Sequence, residues 1–226
     1  MNKIDPTAII GKHVNLGYNN VILPYSIIYD GVCIGNNNVI GSHAVIGCSP
    51  TDTKNTELHV DCDFPVCIGD NNQIREFCVV EQPCYERQTV IGNRTFLMQG
   101  VHVSHDNWVD DDVVITNQCV LGGIAKILKG ADLGMGCTIN QYTIVGQYSI
   151  VATGAPCMKN VRPFSRYIPN RPVSVNHYAI QKYGFEPYTD EIVGYVMNGI
   201  TPTSPIIVDI VDTFNRFVSL YGHQTY

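Results

Sequence analysis

Residues 91–157 consist of eleven hexads that each begin with an aliphatic residue, followed by a cysteine: IGNRTF, LMQGVH, VSHDNW, VDDDVV, ITNQCV, LGGIAK, ILKGAD, LGMGCT, INQYTI, VGQYSI, VATGAP and C. The first positions are Ile91, Leu97, Val103, Val109, Ile115, Leu121, Ile127, Leu133, Ile139, Val145, Val151 and Cys157. A period of six fits neither an amphipathic helix nor a strand that alternates inward and outward residues. Short repeats of this kind are typical of a parallel β-helix.

The hexad also predicts the shape of this β-helix. One hexad supplies a short strand and a corner, so three hexads close a triangular coil with one aliphatic side chain per hexad inside the shaft. The position four residues further on is small or β-branched, as at Thr95, Val113, Cys119, Cys137, Thr143 and Ser149. Glycine and asparagine cluster at Gly92-Asn93, Gly134, Gly136 and Gly146, and we expect corners with positive φ there.

The same register begins near the N-terminus and is interrupted twice. It runs through Ile4, Ile10, Leu16, Ile22, Ile28, Ile34, Ile40 and Ile46, and it resumes at Ile68, Ile74 and Val80. The gap of 22 residues before it resumes is not a multiple of six, so we expect an extruded polar loop between Cys48 and Pro65. A second slip after Val80 predicts a shorter loop at Glu81–Gln88.

Composition excludes several classes of protein. Of the 226 residues 45% are hydrophobic and 15% are charged, and the net charge of −6 argues against nucleic-acid binding. No apolar run is long enough for membrane insertion. The repeat starts directly after Met1, so we expect no signal peptide and a cytoplasmic location. The nine cysteines lack metal-site spacing, which predicts buried thiols and no metal.

The hexad pattern ends near residue 160. We therefore expect a β-helix over 1–160 and a linker with a helical region over 161–226. The linker begins with a basic, proline-punctuated run that includes Lys159, Arg162, Arg166 and Arg171.

Three helices are predicted in the C-terminal region. Ser174 is a candidate cap for a short helix that ends before Gly184, and Thr189 for a helix over Asp190–Met197. Ser204-Pro205 opens a third helix. Its apolar stripe consists of Ile206, Ile207, Ile210, Val211, Phe214, Phe217, Val218 and Tyr221. The stripe needs a partner, which is either the shaft or a neighbouring subunit.

The most polar cluster on the shaft is the run from His102 to Asn107. Val103 holds the inward register, so His105 and Asp106 fall at outward or corner positions. A neutral imidazole is the usual general base near neutral pH, and a carboxylate can orient it. Because a flat-sided shaft offers little concavity, we expect the site in a groove between shafts of a cyclic homotrimer, roofed by the extruded loops.

The sequence resembles the hexapeptide-repeat acyltransferases, most closely the UDP-N-acetylglucosamine O-acyltransferases of lipid A synthesis and their sugar N-acyltransferase relatives. The matching segments are Ile74-Arg75-Glu76, Phe96-Leu97-Met98 before His102-Val103-Ser104-His105-Asp106, Gly122-Gly123, Asn140-Gln141, Val175-Asn176 and Tyr183-Gly184-Phe185. The resemblance covers roughly residues 4 to 185. It implies a left-handed parallel β-helix with two extruded loops and a small C-terminal α-helical tail.

The resemblance also implies roles for individual residues. His105 matches the general base, Asp106 its orienting partner, and Gly123 the glycine whose N–H faces the developing oxyanion. Positions that match substrate- or donor-contacting residues are Asp52, Lys54, His102, Asn140, Gln141 and Asn176. Thr153 stands where a glycine opens the acyl channel of long-chain enzymes, which favours a shorter acyl group.

Two departures from the lipid A enzymes shape the expected function. Ile124 and Asn140 replace histidines, and the helix that meets acyl carrier protein reads Tyr178–Tyr183 without arginine. We therefore expect transfer of a short acyl group from acyl-coenzyme A to the amino group of a nucleotide-linked amino sugar, a precursor of a cell-surface polysaccharide or glycan. In this interpretation the basic run at Lys159, Arg162, Arg166 and Arg171 contacts the phosphates of coenzyme A.

Two alternatives stay open. One is O-acylation of UDP-N-acetylglucosamine from acyl carrier protein in lipid A synthesis. The other is a non-catalytic β-helix scaffold, although such scaffolds favour flat Thr or Ser ranks without polar loops. A carbonic anhydrase on the same shaft would need three histidine ligands, and His102 and His105 lack its usual spacing.

Overall fold

The computed structural model describes residues 1–54 and 63–226 and is a left-handed parallel β-helix, which confirms the predicted fold class. In chain order the strands are β1 (Lys3–Ile4), β2 (Ile9–Ile10), β3 (Asn15–Leu16), β4 (Val21–Ile22), β5 (Ile27–Ile28), β6 (Val32–Ile34), β7 (Val39–Ile40), β8 (Val45–Cys48), β9 (Val66–Ile68), β10 (Gln73–Ile74), β11 (Val79–Glu81), β12 (Thr89–Ile91), β13 (Phe96–Leu97), β14 (His102–Val103), β15 (Trp108–Val109), β16 (Val114–Ile115), β17 (Val120–Leu121), β18 (Lys126–Ile127), β19 (Asp132–Leu133), β20 (Thr138–Ile139), β21 (Ile144–Val145), β22 (Ile150–Val151), β23 (Pro156–Cys157), β24 (Ser165–Tyr167) and β25 (Ser174–Val175).

Each coil contributes one strand to each of three sheets. The sheets contain ten, eight and seven strands, and up to β23 a strand pairs with the strand three places later in the chain. Because three hexads make one coil, regular partners are 18 residues apart, as in Trp108 and Lys126 or Val120 and Thr138. All ladders are parallel except that of β24 and β25, which is antiparallel. The ten-stranded sheet thus continues through β24, beyond residue 160.

The inward aliphatic residues form one continuous core along the shaft. From Ile22 onward every residue of the predicted register is buried, and so are the small residues such as Thr95 and Cys137 four places later. Only the first coil is partly open, with Ile4 exposed and Ile10 and Leu16 half-buried. The hexad therefore predicts the inside of the shaft correctly, since each inward side chain stacks on its counterparts in the adjacent coils.

The corners differ from the prediction. Positive φ occurs three residues after most of the inward aliphatics, at Gly136 as predicted but also at non-glycine residues such as Arg94 and Ile124. The prediction was wrong for Gly92-Asn93, Gly134 and Gly146, whose φ is not positive. A Cβ on Gly134 would lie 2.4 Å from the backbone nitrogen of Thr153 in the next coil. These glycines are therefore required by the close approach of adjacent coils, not by a left-handed backbone.

Both interruptions of the register fall between consecutive strands. The first joins β8 to β9, although its residues 55–62, including Cys62, lie outside the described part of the chain. The second joins β11 to β12. The eight described cysteines are free thiols, and five of them are buried: Cys78, Cys84, Cys119, Cys137 and Cys157.

The C-terminal region forms helices close to the predicted ones. They are α1 (His177–Lys182), a 3₁₀ turn (Glu186–Tyr188), α2 (Thr189–Asn198) and α3 (Pro205–Tyr221). Ser204 is the N-cap residue of α3 as predicted. Ser174 does not cap α1, because it pairs with Arg166 in the antiparallel ladder, and Asn176 is the cap instead. Thr189 is the first residue of α2, whose N-cap residue is Tyr188.

The apolar stripe of α3 packs on the shaft of the same chain. Phe214 forms a buried cluster with Leu128 and Ile144, which lie at the seven-stranded sheet. The chain then returns to the last coils, where the ring of Tyr226 stacks on Tyr167 with centroids 4.2 Å apart. Among the described helices, none combines the length and hydropathy that crossing a bilayer requires.

Candidate active site

His105 and Asp106 form a hydrogen-bonded pair at the corner between β14 and β15. The imidazole Nδ1 lies 2.7 Å from Asp106 Oδ2. Asp106 is fully buried and adopts a positive φ of 61°. Its carboxylate also accepts backbone N–H groups from the second loop, at 3.1 Å from Cys84 and 2.7 Å from Glu86, and from Tyr85.

These contacts fix the ionisation of the pair. The hydrogen bond to Asp106 raises the pKa of His105, although burial acts in the opposite direction. Burial alone would raise the pKa of Asp106, but the bonds from His105 and from the three backbone N–H groups outweigh it, so the pKa is lowered. An ionised Asp106 accepts Nδ1–H, and the lone pair on Nε2 is then available to take a proton.

A buried glutamate, Glu81, organises the surroundings of the imidazole. Its carboxylate accepts the backbone N–H of His105 at 3.0 Å, His102 Nε2–H at 2.9 Å and the Thr51 hydroxyl at 2.6 Å. Burial would raise the pKa of Glu81, but the bonds from His102 and Thr51 lower it overall. Glu81 thus joins the first loop to the corner that carries His105.

The imidazole faces a groove with a volume of about 350 Å³. Its lining comprises Thr51, Asp52, Thr53, Ser104, His105, Val120, Gly122, Gly123, Thr138, Ile139, Asn140 and Gln141. A Cβ on Gly123 would lie 2.3 Å from His105 Cε1 and 2.4 Å from Nε2, so only glycine fits beside the ring. The groove therefore brings a base, a glycine backbone and polar side chains together.

The peptide unit between Gly122 and Gly123 is held from inside the shaft. The Asn107 side-chain amide donates to Gly122 O at 3.0 Å and also to Ser104 O at 2.9 Å. Carbonyl and N–H point in opposite directions in a trans peptide unit. The Gly123 N–H is therefore directed away from Asn107, toward the outside of the shaft.

The sequence-predicted residues fall into two groups. The groove is lined by His105, Gly123, Asp52, Asn140 and Gln141. Asp106 is buried behind His105, and His102 is adjacent through Glu81. Lys54 is exposed, and its backbone N–H donates to Asp52 Oδ1 at 2.8 Å. Proximity does not test what these residues bind, so their roles stay predictions.

The second group lies away from the groove. Asn176 caps α1 and donates to Tyr148 O at 2.9 Å. Thr153 is exposed after β22, and the Lys159 ammonium lies 5.6 Å from the centre of the Tyr226 ring. Arg162 is half-buried, whereas Arg166 and Arg171 are exposed. None of these residues lines the groove of the single chain.

Sequence reasoning missed the residues that support the pair from behind, among them Glu81, Cys84, Glu86 and Lys126. Their only signal was a disturbed register. Glu81 follows inward Val80 where the second loop leaves the shaft, and Lys126 occupies an outward place where the adjacent coils carry Trp108 and Ile144. Which of them meet His105 depends on how the loop folds back.

One group of described residues has metal-ligand chemistry. Donor atoms of Cys84, His105 and Asp106 lie within 4.8 Å of one another. However, Nδ1 and Oδ2 already share a hydrogen bond, and burial raises the pKa of the Cys84 thiol to about 12. A cysteine binds a metal ion as the thiolate, and a raised pKa disfavours that form. The arrangement is therefore better suited to a hydrogen-bonded acid–base pair.

Fold and site together define a class of protein, the hexapeptide-repeat acyltransferases with a left-handed β-helix. No family model matches the chain, but individual relatives do. An acyl-[acyl-carrier-protein]–UDP-N-acetylglucosamine O-acyltransferase of Syntrophobacter fumaroxidans is 32% identical over 189 residues, which cover 76% of this chain and 73% of that protein. The relative from Campylobacter concisus is 28% identical over 194 residues, covering 84% of this chain and 73% of that protein. The chain belongs to the UDP-N-acetylglucosamine O-acyltransferase family.

Solved structures agree with this assignment. The UDP-N-acetylglucosamine acyltransferase of Francisella novicida aligns with a TM-score of 0.78 at 26% identity, covering 97% of this chain and 83% of that one. The enzyme of Bacteroides fragilis aligns with a TM-score of 0.71 at 28% identity, covering 95% of both chains.

These relatives correct the expected function. Transfer from acyl-coenzyme A to an amino sugar was the wrong prediction, because the relatives are named as O-acyltransferases that use acyl carrier protein. The prediction depended partly on the basic run after Cys157. In the structure that run does not line the groove, so it gives no support to a coenzyme A site beside His105.

Proposed function

We propose that this acyltransferase moves an acyl group from an acyl carrier protein thioester to a hydroxyl of UDP-N-acetylglucosamine. The names of the relatives support both substrates. The observation that carries the proposal is the 2.7 Å bond between His105 and a buried Asp106, set beside Gly123 in a groove. A non-catalytic scaffold would have no reason to bury a carboxylate under three N–H donors and an imidazole.

His105 acts as the general base in this reaction. Its Nε2 removes the proton from the sugar hydroxyl as the oxygen attacks the thioester carbonyl, and Asp106 stabilises the imidazolium that forms. The Gly123 N–H donates to the negative oxygen of the tetrahedral intermediate. When the C–S bond breaks, His105 returns the proton to the leaving thiolate, and an ester and a free thiol result.

The polar side chains of the groove bind the nucleotide-sugar. Asp52 in the first loop and Gln141 after β20 both line the groove with His105, and we assign them to the acceptor together with Lys54, whose backbone bonds Asp52. His102 is oriented by Glu81 for a contact at the same end. We place the second wall of the groove on a neighbouring subunit in a homotrimer. Free thiols throughout the described chain are consistent with a reducing cytoplasm.

The test is turnover by the purified chain and by His105→Asn. With acyl carrier protein thioester and UDP-N-acetylglucosamine, we expect His105→Asn to lower kcat by roughly a hundred- to ten-thousandfold, because the base is lost. His43→Asn is the matched control. His43 is an exposed histidine stacked between Tyr25 and Phe77, and it is not among the groove residues.

Each substrate is tested by replacement. A UDP-sugar that lacks the accepting hydroxyl should give no product. The same acyl group on coenzyme A should be transferred much more slowly. Near-full activity of His105→Asn would remove His105 from the role of base, and no product from the wild-type chain would overturn the proposed substrates.

A further inference from the structure

Three buried or half-buried titratable groups lie behind the His105–Asp106 pair and take no part in the proposed reaction. They are Lys126 on β18, Glu86 in the second loop and Tyr221 at the end of α3. Lys126 Nζ donates to Glu86 Oε2 at 2.6 Å, and the Tyr221 hydroxyl donates to Glu86 Oε1 at 2.5 Å. The ammonium also lies 5.6 Å from the centre of the Tyr221 ring. The three side chains, here called the support cluster, join the shaft, the second loop and the C-terminal helix.

The support cluster touches the catalytic carboxylate residue in two ways. Lys126 Nζ donates to the backbone carbonyl of Asp106 at 2.9 Å. The backbone N–H of Glu86 donates to Asp106 Oδ1 at 2.7 Å, the shortest of the bonds from the second loop. Lys126 and Tyr221 therefore hold the side chain of Glu86, and the backbone N–H of Glu86 in turn bonds the Asp106 carboxylate.

The electrostatics of the cluster show that it is assembled as a unit. The side chain of Lys126 is only 3% exposed, and a buried ammonium is costly unless it is paired and hydrogen-bonded. Glu86, the Asp106 carbonyl and the face of the Tyr221 ring together supply that compensation. Burial and the carboxylate of Glu86 raise the pKa of Tyr221, so its hydroxyl remains a proton donor. Removing one of the three side chains leaves the other two with too few hydrogen-bond partners.

We propose that Lys126, Glu86 and Tyr221 are positioning residues that fix the loop segment 84–86, so that its N–H groups orient Asp106 and, through it, His105. In this way the end of α3 supports the position of the catalytic pair, in addition to covering the seven-stranded sheet. The kinetic consequence rests on the proposed function, whereas the effect on the loop and on the His105–Asp106 bond does not.

Tyr221→Phe tests the loop, and Tyr226→Phe is its matched control. Both tyrosines lie in the C-terminal tail and bond the shaft region through the hydroxyl, since Met158 N–H donates to the Tyr226 hydroxyl at 3.0 Å. Of the two, Tyr221 is the one that reaches Glu86. In hydrogen exchange of the full chain, we expect the amides of residues 84–86 to exchange about tenfold faster in Tyr221→Phe and at the wild-type rate in Tyr226→Phe.

The hydrogen bond within the pair is tested separately from turnover. A strong imidazole N–H to carboxylate bond gives a far-downfield proton resonance. We expect this resonance of His105 to persist in Tyr226→Phe and to broaden or disappear in Tyr221→Phe and Lys126→Met. A cluster that merely anchors α3 would leave the resonance unchanged.

The kinetic consequence is a fall in kcat at constant KM for the nucleotide-sugar. Displacement of a catalytic group by a fraction of an ångström to an ångström lowers kcat by roughly ten- to a hundredfold. We expect this loss in Lys126→Met and a partial recovery in Lys126→Arg, which retains the charge and donors. Neither Lys126 nor Tyr221 lines the groove, so substrate affinity should not change.

The outcomes separate the two proposals. If folded Tyr221→Phe and Lys126→Met retain both slow exchange at 84–86 and the downfield resonance, the positioning role is overturned. If the loop loosens but the resonance and kcat stay at wild-type values, it is also overturned. If the wild-type chain transfers no acyl group to UDP-N-acetylglucosamine, the proposed function fails, and the exchange and resonance still decide the role of the support cluster.

Discussion

At the scale of single residues, the ionisation of His105 determines how the reaction depends on pH. The base must be neutral to accept a proton, and the Asp106 carboxylate raises the pKa of His105 above the ordinary 6.5 by stabilising the imidazolium. We therefore expect kcat/KM to rise with pH along a limb whose midpoint lies above 6.5. In Asp106→Asn the limb should move to lower pH, because the stabilising charge is gone.

The plateau of kcat/KM at high pH should also be lower in Asp106→Asn, by roughly a hundred- to ten-thousandfold, since the carboxylate no longer orients the ring. Initial rates across about pH 5 to 9 measure both effects. His43→Asn should leave midpoint and plateau unchanged. A limb that stays at the wild-type position in Asp106→Asn would mean that another group controls the rate.

Single residues also show where sequence reasoning stops. His105 and Asp106 were predicted because the register of Val103 fixes their outward direction, which is local information. Glu81 bonds His105 across 24 positions, and Tyr221 reaches Glu86 across 135. Such contacts depend on how loops and tail fold back over the shaft, and no short-range period encodes them.

At the scale of one coil, Gly134 and Gly136 must each be glycine, but for different physical reasons. Gly134 has ordinary φ but touches the backbone of Thr153, whereas Gly136 has a φ of 65° and open space where a Cβ would lie, with no described atom within 4 Å. Gly136→Ala should cost about 1–2 kcal/mol, the penalty of an L-residue in left-handed backbone. Gly134→Ala should cost about 1–3 kcal/mol from overpacking, and the adjacent coils must also separate locally.

The measurement is urea unfolding of both variants and the wild type. We expect a lower unfolding midpoint for Gly134→Ala than for Gly136→Ala, because backbone atoms of the next coil cannot move aside as a flexible side chain can. The reverse order of midpoints would show that a left-handed backbone costs more stability at this corner than crowding between adjacent coils. The sequence predicted that glycines belong here, but only the structure separates the two reasons.

The helical elements were predicted to different degrees for a related reason. Ser204-Pro205 is a strong local start signal, and α3 begins there. Ser174 is an equally good cap in isolation, but pairing with Arg166 places it in a strand. Local capping chemistry decides a helix start only where no sheet competes for the same backbone groups.

At the scale of the whole molecule, the position of α3 determines which surface remains for other subunits. The sequence predicted either the shaft or a neighbouring subunit as the partner of its apolar stripe, and in the structure the C-terminal half of the stripe, from Phe214, packs on the seven-stranded sheet. The eight-stranded sheet carries the groove, and on it Val120 is a 43% exposed aliphatic at the lining of that groove. This is the face that we assign to the proposed homotrimer interface.

Val120→Glu tests that assignment. A carboxylate buried between two shafts without a partner is strongly unfavourable, so this variant should be monomeric and should lose turnover at the same time. Leu220→Glu is the matched control, because Leu220 is a 70% exposed aliphatic on α3, beside Trp108 of the seven-stranded sheet. By light scattering we expect the wild type and Leu220→Glu at about three times the 25.0 kDa chain mass, and Val120→Glu near that single mass. A trimeric, fully active Val120→Glu would place the interface elsewhere, and a monomeric, active wild type would show that one chain completes the site.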